Sequence, residues 1–209
     1  MRPGTRREAI AGPAGRIECA VDAPEAGAPQ GIALVAHPHP LYGGTLENKV
    51  VQTLARAFNE LGYVSLRPNF RGVGASEGRY DEGCGELEDL AAVLDWGRAA
   101  HPGGELVLAG FSFGAFVQSH LAARLAAAGT PAARVVFVGT AAGRFTVAPV
   151  PADSIVIHGE VDDTVPLAAV LDWARPQELP LTVLPGADHF FHGRLHLLRS
   201  IVRAQWHRR

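Results

Sequence analysis

"ELVLAGFSFGAFVQSHLAARLAAAG", residues 105–129, opens as an apolar run of buried-strand length and closes as an Ala-rich helix. Between the two lies G-x-S-x-G at 110–114. A strand that feeds straight into a helix projects the residue at the turn, Ser112, above the C-terminal edge of its sheet. The crowded backbone needs small residues two before and two after, and Gly110 and Gly114 supply them. The helix start adds unpaired amides and a positive dipole end, useful where an oxyanion develops. The same five-residue pattern recurs in "GASEG", 74–78. Ser76, however, sits in the glycine-rich polar stretch "NFRGVGASEGRYDEGCG" with no apolar run on either side, and the expectation for it is a surface loop. Ser112 is the expected nucleophile.

Outward from this turn, strands alternate with helices. "GRIECAVDAP" alternates as a half-buried strand, and "GIALVAHP" reads as a buried one. In "TLENKVVQTLARAFNELG", Leu46, Val50, Val51, Leu54, Phe58 and Leu61 recur at threes and fours, and Gly62 stands where a helix would stop. A strand "YVSLRPN" and a helix "GELEDLAAVLDWGRAAHPGG" lead into the opening stretch. After it come strands "ARVVFVGT" and "SIVIHG", helix "PLAAVLDWARP", strand "LTVLPG" and a final helix to Trp206. This order implies parallel strands joined by right-handed crossovers. The expected fold is an α/β three-layer sandwich with a mostly parallel sheet, one domain over 1–209 with no repeat, linker or low-complexity tract.

A serine hydroxyl needs a general base, itself oriented by an acid. Strand-turn-helix nucleophiles take them in the chain order Ser, Asp or Glu, His. "IVIHGEVDDTVP" supplies acids at Glu160, Asp162 and Asp163 after a buried strand; "LTVLPGADHFF" supplies His189 after another. All would emerge at one edge of the sheet, where open α/β sheets bind ligands. Asp188, adjacent to His189, reads as a turn cap.

Through "HPHPLYGGTLENKV", "LRPNFRGVGASEG", "GFSFGA", "HGEVDDTVP" and "GADHFF", the chain resembles the small α/β-hydrolase-fold proteins, in particular a bacterial group of hydrolases without a lid. The resemblance covers nearly the whole chain. It implies Asp162, four after His158, as the acid over its rivals Asp163 and Glu160. It also implies that "RGVGASEG" shapes the site wall without supplying a nucleophile. Two backbone amides should form the oxyanion hole. One is Phe113, after the nucleophile. The other comes from "HPHPLYGG", where Pro38 and Pro40 have no N–H; of His39 and Leu41, the resemblance favours Leu41. Where relatives insert a helical lid, this chain has only "AAGRFTVAPVPAD", too short for one. An open site follows, with His39, Leu41, Tyr42, Phe111, Phe113, Phe145 and Phe190 as candidate walls.

Composition bounds the rest. The chain has 209 residues, enough to bury roughly 70% of its unfolded surface. A formal charge of −2, with 47% apolar and 19% charged residues, predicts no field for nucleic acid or an anionic membrane. The arginines and histidines of "HGRLHLLRSIVRAQWHRR" are spaced by Leu, Ile and Val as on a solvated helix face. Cys19 and Cys84 have neither metal nor disulfide-framework spacing. His37-x-His39 and the pair His192 and His196 could hold a metal, but no acidic ligand is placed beside the first and the second fits a solvated face, so no metal is expected. No signal-peptide run or membrane-length apolar window occurs, and a cytoplasmic location is the default. The expected function is a serine hydrolase, a carboxylesterase for small or short-acyl esters that needs no cofactor and no partner but its substrate; the oligomeric state is open. A thioesterase or amidase would use the same residues, and an idle binding protein on this fold is the reading from another class.

Overall fold

The computed structural model describes residues 4–24 and 26–206. The chain's ends, including the last three residues of the basic C-terminal run, lie outside that description. Eight strands form one sheet: β1 (Arg6–Gly12), β2 (Gly15–Asp22), β3 (Gly31–Ala36), β4 (Tyr63–Pro68), β5 (Glu105–Phe111), β6 (Arg134–Val138), β7 (Ile155–Gly159) and β8 (Thr182–Leu184). Their spatial order is β1-β2-β4-β3-β5-β6-β7-β8. From β4 to β8 every neighbouring pair is parallel; β2 runs antiparallel to β4 and to β1. The expected mostly parallel α/β sheet is what forms. β1 was not expected from the sequence: "RREAIAG" offers no apolar alternation, and Ile10 is its one buried residue. It forms because β2 presents a full antiparallel edge, with Ile10 opposite Ile17.

Five helices, α1 (Lys49–Glu60), α2 (Cys84–Ala100), α3 (Phe113–Ala127), α4 (Leu167–Ala174) and α5 (Leu195–Ala204), cover the sheet. The period of two in β3 divides the core between its faces. Ile32, Leu34 and Ala36 pack with Leu90, Val93 and Leu94 of α2 and Leu121 of α3. Ala33 and Val35 pack with Val50, Leu54 and Phe58 of α1 and Leu198 and Val202 of α5. The apolar positions of α1 that recur at threes and fours are thus its buried face, each worth about 1.5–3 kcal/mol on burial. Asn48 starts that helix by accepting from the amides of Val50 (2.9 Å) and Val51 (3.4 Å). Gly62 ends it at φ +93°. α5 stops at Ala204, two residues short of the expected Trp206. His192 lies in the turn before α5 rather than on its face.

Because β3 to β8 all point the same way, their C-terminal ends deliver six segments to one edge: 37–48, 69–83, the turn at Ser112, 139–145, 160–165 and 185–190. No described helix lies between β6 and β7, so nothing lid-like covers this edge. No helix among the described residues is long and apolar enough to cross a membrane.

Candidate active site

Ser112 leaves β5 as the last residue before α3 with φ 55° and ψ −117°, a left-handed conformation that a non-glycine side chain rarely adopts. Its amide donates to the Val138 carbonyl at 2.9 Å, which pins the strained residue to the neighbouring strand. The two glycines are there for space. A Cβ on Gly110 would lie 2.4 Å from the backbone carbon of Gly114, and one on Gly114 would lie 2.4 Å from the carbonyl oxygen of Ala36. Neither neighbour is a side chain that could swing aside. Gly114→Ala is therefore expected to cost about 1–3 kcal/mol and to reduce activity, by pushing α3 off β3. A thermal melt with the same midpoint as the wild type and full activity would refute this reading of the turn.

Asp162 and His189 meet beside this turn. His189 Nδ1 lies 2.6 Å from Asp162 Oδ2. The other carboxylate oxygen accepts from the amides of Thr164 (2.9 Å) and Val165 (2.7 Å), so the acid is held at both ends. Burial pushes the Asp162 carboxyl upward, but its hydrogen bonds with His189 and the Val165 amide and the nearby histidines outweigh this and leave it below the usual carboxylate range. Asp162 therefore stays ionised at neutral pH. Its rivals point elsewhere. Asp163 is exposed and accepts from the Thr164 hydroxyl, and exposed Glu160 accepts from the Gly186 amide. With Nδ1 taken by Asp162, His189 Nε2 is the nitrogen left for the serine, and Ser112 and His189 line one cavity. Gly139 at the end of β6 makes room for the ring: a Cβ there would come within 3.2 Å of His189 Cε1. Asp188 accepts from the amide and ring of His192, the turn-capping role read from sequence.

Two supporting histidines were not foreseen in their roles. His158 stands 3.5 Å from Asp162 Oδ2 and its Nε2 lies 2.9 Å from the Val165 carbonyl. Burial lowers its pKa against the opposing pull of Asp162, so it remains a neutral donor to Val165 behind the acid. His37 accepts from the Phe70 amide through Nε2 (2.9 Å) and therefore donates through Nδ1 to the Pro38 carbonyl. Burial pulls its pKa down to about 4. A neutral His37 thus ties the loop after β3 to the end of β4. No cluster of three metal-ligating side chains occurs among the described residues.

The second oxyanion donor requires a correction. The Leu41 amide, preferred on sequence, donates to His39 Nδ1 at 3.2 Å as the cap of the short Pro40–Tyr42 turn, and Leu41 is 66% exposed and outside the cavity. The amides of Tyr42 and Gly44 are taken by the His39 carbonyl. His39, the alternative, keeps its own amide unengaged among the described residues and lines the cavity, as does Phe113. Their positions follow from the prolines: a loop that lacks N–H groups at Pro38 and Pro40 has few donors to spend, and capping takes one.

The cavity holds about 90 Å³. Of the expected walls, His39, Tyr42, Phe113, Phe145 and Phe190 line it. Phe111 does not. It is fully buried with its ring 4.8 Å from that of His189, a floor under the imidazole instead of a wall. Its place in β5, one residue before the turn, sends its side chain into the core. Ser76 lies in an exposed loop, as expected, but its own side chain turns inward: its hydroxyl donates to the Asn69 carbonyl (2.8 Å) and accepts from the Glu18 amide (2.9 Å). The loop around it lines no part of the cavity and supports it from below through Phe70, whose ring packs 5.5 Å from that of Phe113. Arg144 and Asn48 line the cavity without having been anticipated.

Comparison with known proteins agrees with this fold. Residues 15–144 match the family model described as X-Pro dipeptidyl-peptidase (S15 family). The uncharacterised protein RP471 of Rickettsia prowazekii is 38% identical over 191 residues, 86% of this chain and 79% of that one. Among solved structures, XC6422 of Xanthomonas campestris, an α/β serine hydrolase without a lid, is 38% identical with a TM-score of 0.89, covering 98% of this chain and 94% of that one. An α/β serine hydrolase homologue from Coxiella burnetii is 36% identical with a TM-score of 0.85, covering 99% of this chain and all of that one.

Proposed function

The chain is a member of the S15 family over residues 15–144 and belongs to the α/β serine hydrolases without a lid, and from that premise we propose that it is a carboxylesterase for small or short-acyl esters. Ser112 is the nucleophile, His189 the general base and Asp162 the acid that orients it. The observation that carries this reading is the 2.6 Å contact of His189 Nδ1 with an ionised, doubly anchored Asp162, beside the cavity that Ser112 lines. His189 Nε2 takes the serine proton as Oγ attacks the ester carbonyl. The amides of Phe113 and His39 receive the oxyanion, each worth on the order of 3 kcal/mol in the transition state. His189 then protonates the departing alcohol, and water releases the acid by the same steps reversed.

The volume supports short acyl groups. At about 90 Å³ the cavity is small, and its aromatic rim suits a short apolar acyl chain. The peptidase activity in the family description finds less support. The family match ends before Asp162 and His189. A dipeptidyl-peptidase must seat a free amino terminus, yet among the described residues no Asp or Glu lines the cavity and the one fixed charge is the cationic Arg144. Turnover of p-nitrophenyl acetate, butyrate and octanoate is the test, with rates expected to fall at octanoate. Faster hydrolysis of an X-Pro p-nitroanilide than of any ester would replace this reading. No turnover, together with failure of a fluorophosphonate to label Ser112, would favour an idle scaffold.

A further inference from the structure

Among the described residues, Arg144 is the one side chain of fixed charge around the cavity. Its backbone is held firmly. The turn after β6 closes through the Phe145 amide on the Ala141 carbonyl at 3.1 Å, and the Phe145 ring stacks on Phe116 with centroids 4.7 Å apart. Ala141 and Ala142 are buried beneath it. Arg144 is exposed, and its side chain makes no ion pair or hydrogen bond among the described residues. Its charge is also felt within the cavity: burial, and then Arg144, lower the pKa of His39, which favours the neutral imidazole there. The site thus combines apolar walls, a neutral histidine and one unneutralised cation.

We propose that Arg144 selects substrates that carry a carboxylate, so that the preferred esters are half-esters of dicarboxylic acids or esters of carboxylated alcohols. This rests on the esterase reading of Ser112 and His189. A guanidinium presents paired donors that match a carboxylate in its plane. One such group, with no lysine or second arginine in the lining, balances one negative charge, which fits a carboxylate better than the two charges of a phosphate monoester. A cation in a cleft with low-dielectric walls also concentrates anions before they bind. A neutral ester gains nothing from it.

The test compares matched pairs on the intact protein: p-nitrophenyl hemiadipate against its methyl ester for the acyl side, and m-acetoxybenzoate against its methyl ester for the alcohol side. We expect kcat/KM about tenfold higher for the anionic member of one pair. That ratio should fall to near one in Arg144→Gln, be partly restored in Arg144→Lys, invert in Arg144→Glu, and shrink as salt is raised. Thermal melts check that each variant is folded. Equal rates within both pairs, or a preference that survives in Arg144→Gln, would overturn the proposal while leaving the esterase reading intact. Absence of Ser112-dependent hydrolysis of every ester would overturn both.

Discussion

Ser112→Ala is expected to lower kcat/KM for p-nitrophenyl butyrate by about 10⁴- to 10⁶-fold, with no loss of thermal stability. The two halves of that result come from different features. On the proposed mechanism the rate depends on the hydroxyl at the strand-to-helix turn, which lines one cavity with His189. The stability is unchanged because alanine at φ 55° meets the same backbone strain that serine already bears. Ser76→Ala should give the opposite pattern. Its hydroxyl bridges the Asn69 carbonyl and the Glu18 amide, and losing both bonds in a buried site costs about 1–3 kcal/mol while hydrolysis continues. Wild-type-like turnover by Ser112→Ala would remove the serine mechanism altogether. Loss of turnover in both variants, without unfolding of either, would make the loop at 69–78 part of the site.

What could be read in the sequence follows from how local each signal is. The turn at 110–114 was legible because strand, glycines and helix are all within a few residues of Ser112. His189 and the acidic turn at 160–163 were legible because each follows a buried apolar strand, whereas the choice of Asp162 within that turn rested on the family resemblance. The strands that align were legible as runs, but β1 was not, since its pairing is decided by the edge that β2 offers and not by its own composition. Phe111 was misplaced because a single residue's face at a strand end depends on where the turn begins. Leu41 failed for a related reason: whether an amide is free depends on hydrogen bonds made inside a three-residue turn, which spacing does not encode. Arg144 was missed because nothing in "AAGRFTV" marks a charge that faces a cavity. The exposed position of Asp163 and the buried one of Asp162 likewise emerge only when the turn after β7 is folded.

Asp162→Asn is expected to cost about 10⁴-fold in kcat, and the hydrogen bonds around it explain why so small a change has so large an effect. An asparagine oxygen can still accept from the Thr164 and Val165 amides, as Asp162 Oδ1 does, so the turn keeps its shape. The amide nitrogen then faces His189 Nδ1, where Asp162 Oδ2 now stands at 2.6 Å. As a donor, it forces that nitrogen to accept, and the proton moves to Nε2. The imidazole then presents N–H to Ser112 and can no longer take its proton. His158 offers no remedy, because its Nε2 lies 2.9 Å from the Val165 carbonyl and donates there. Asp163→Asn, in an exposed residue one position later, should stay near wild type. A pH titration of stability separates this from mere unfolding. The Asp162 carboxyl lies below its ordinary value of 3.8, so it contributes stability above that value and loses it as the pH falls through the lower folded value. The stability gap between wild type and Asp162→Asn should therefore be full at neutral pH and close in acid, whereas the activity gap persists wherever the wild type is active. Equal activity of Asp162→Asn and wild type at neutral pH would mean that another group orients His189, and the assignment of the acid would fall.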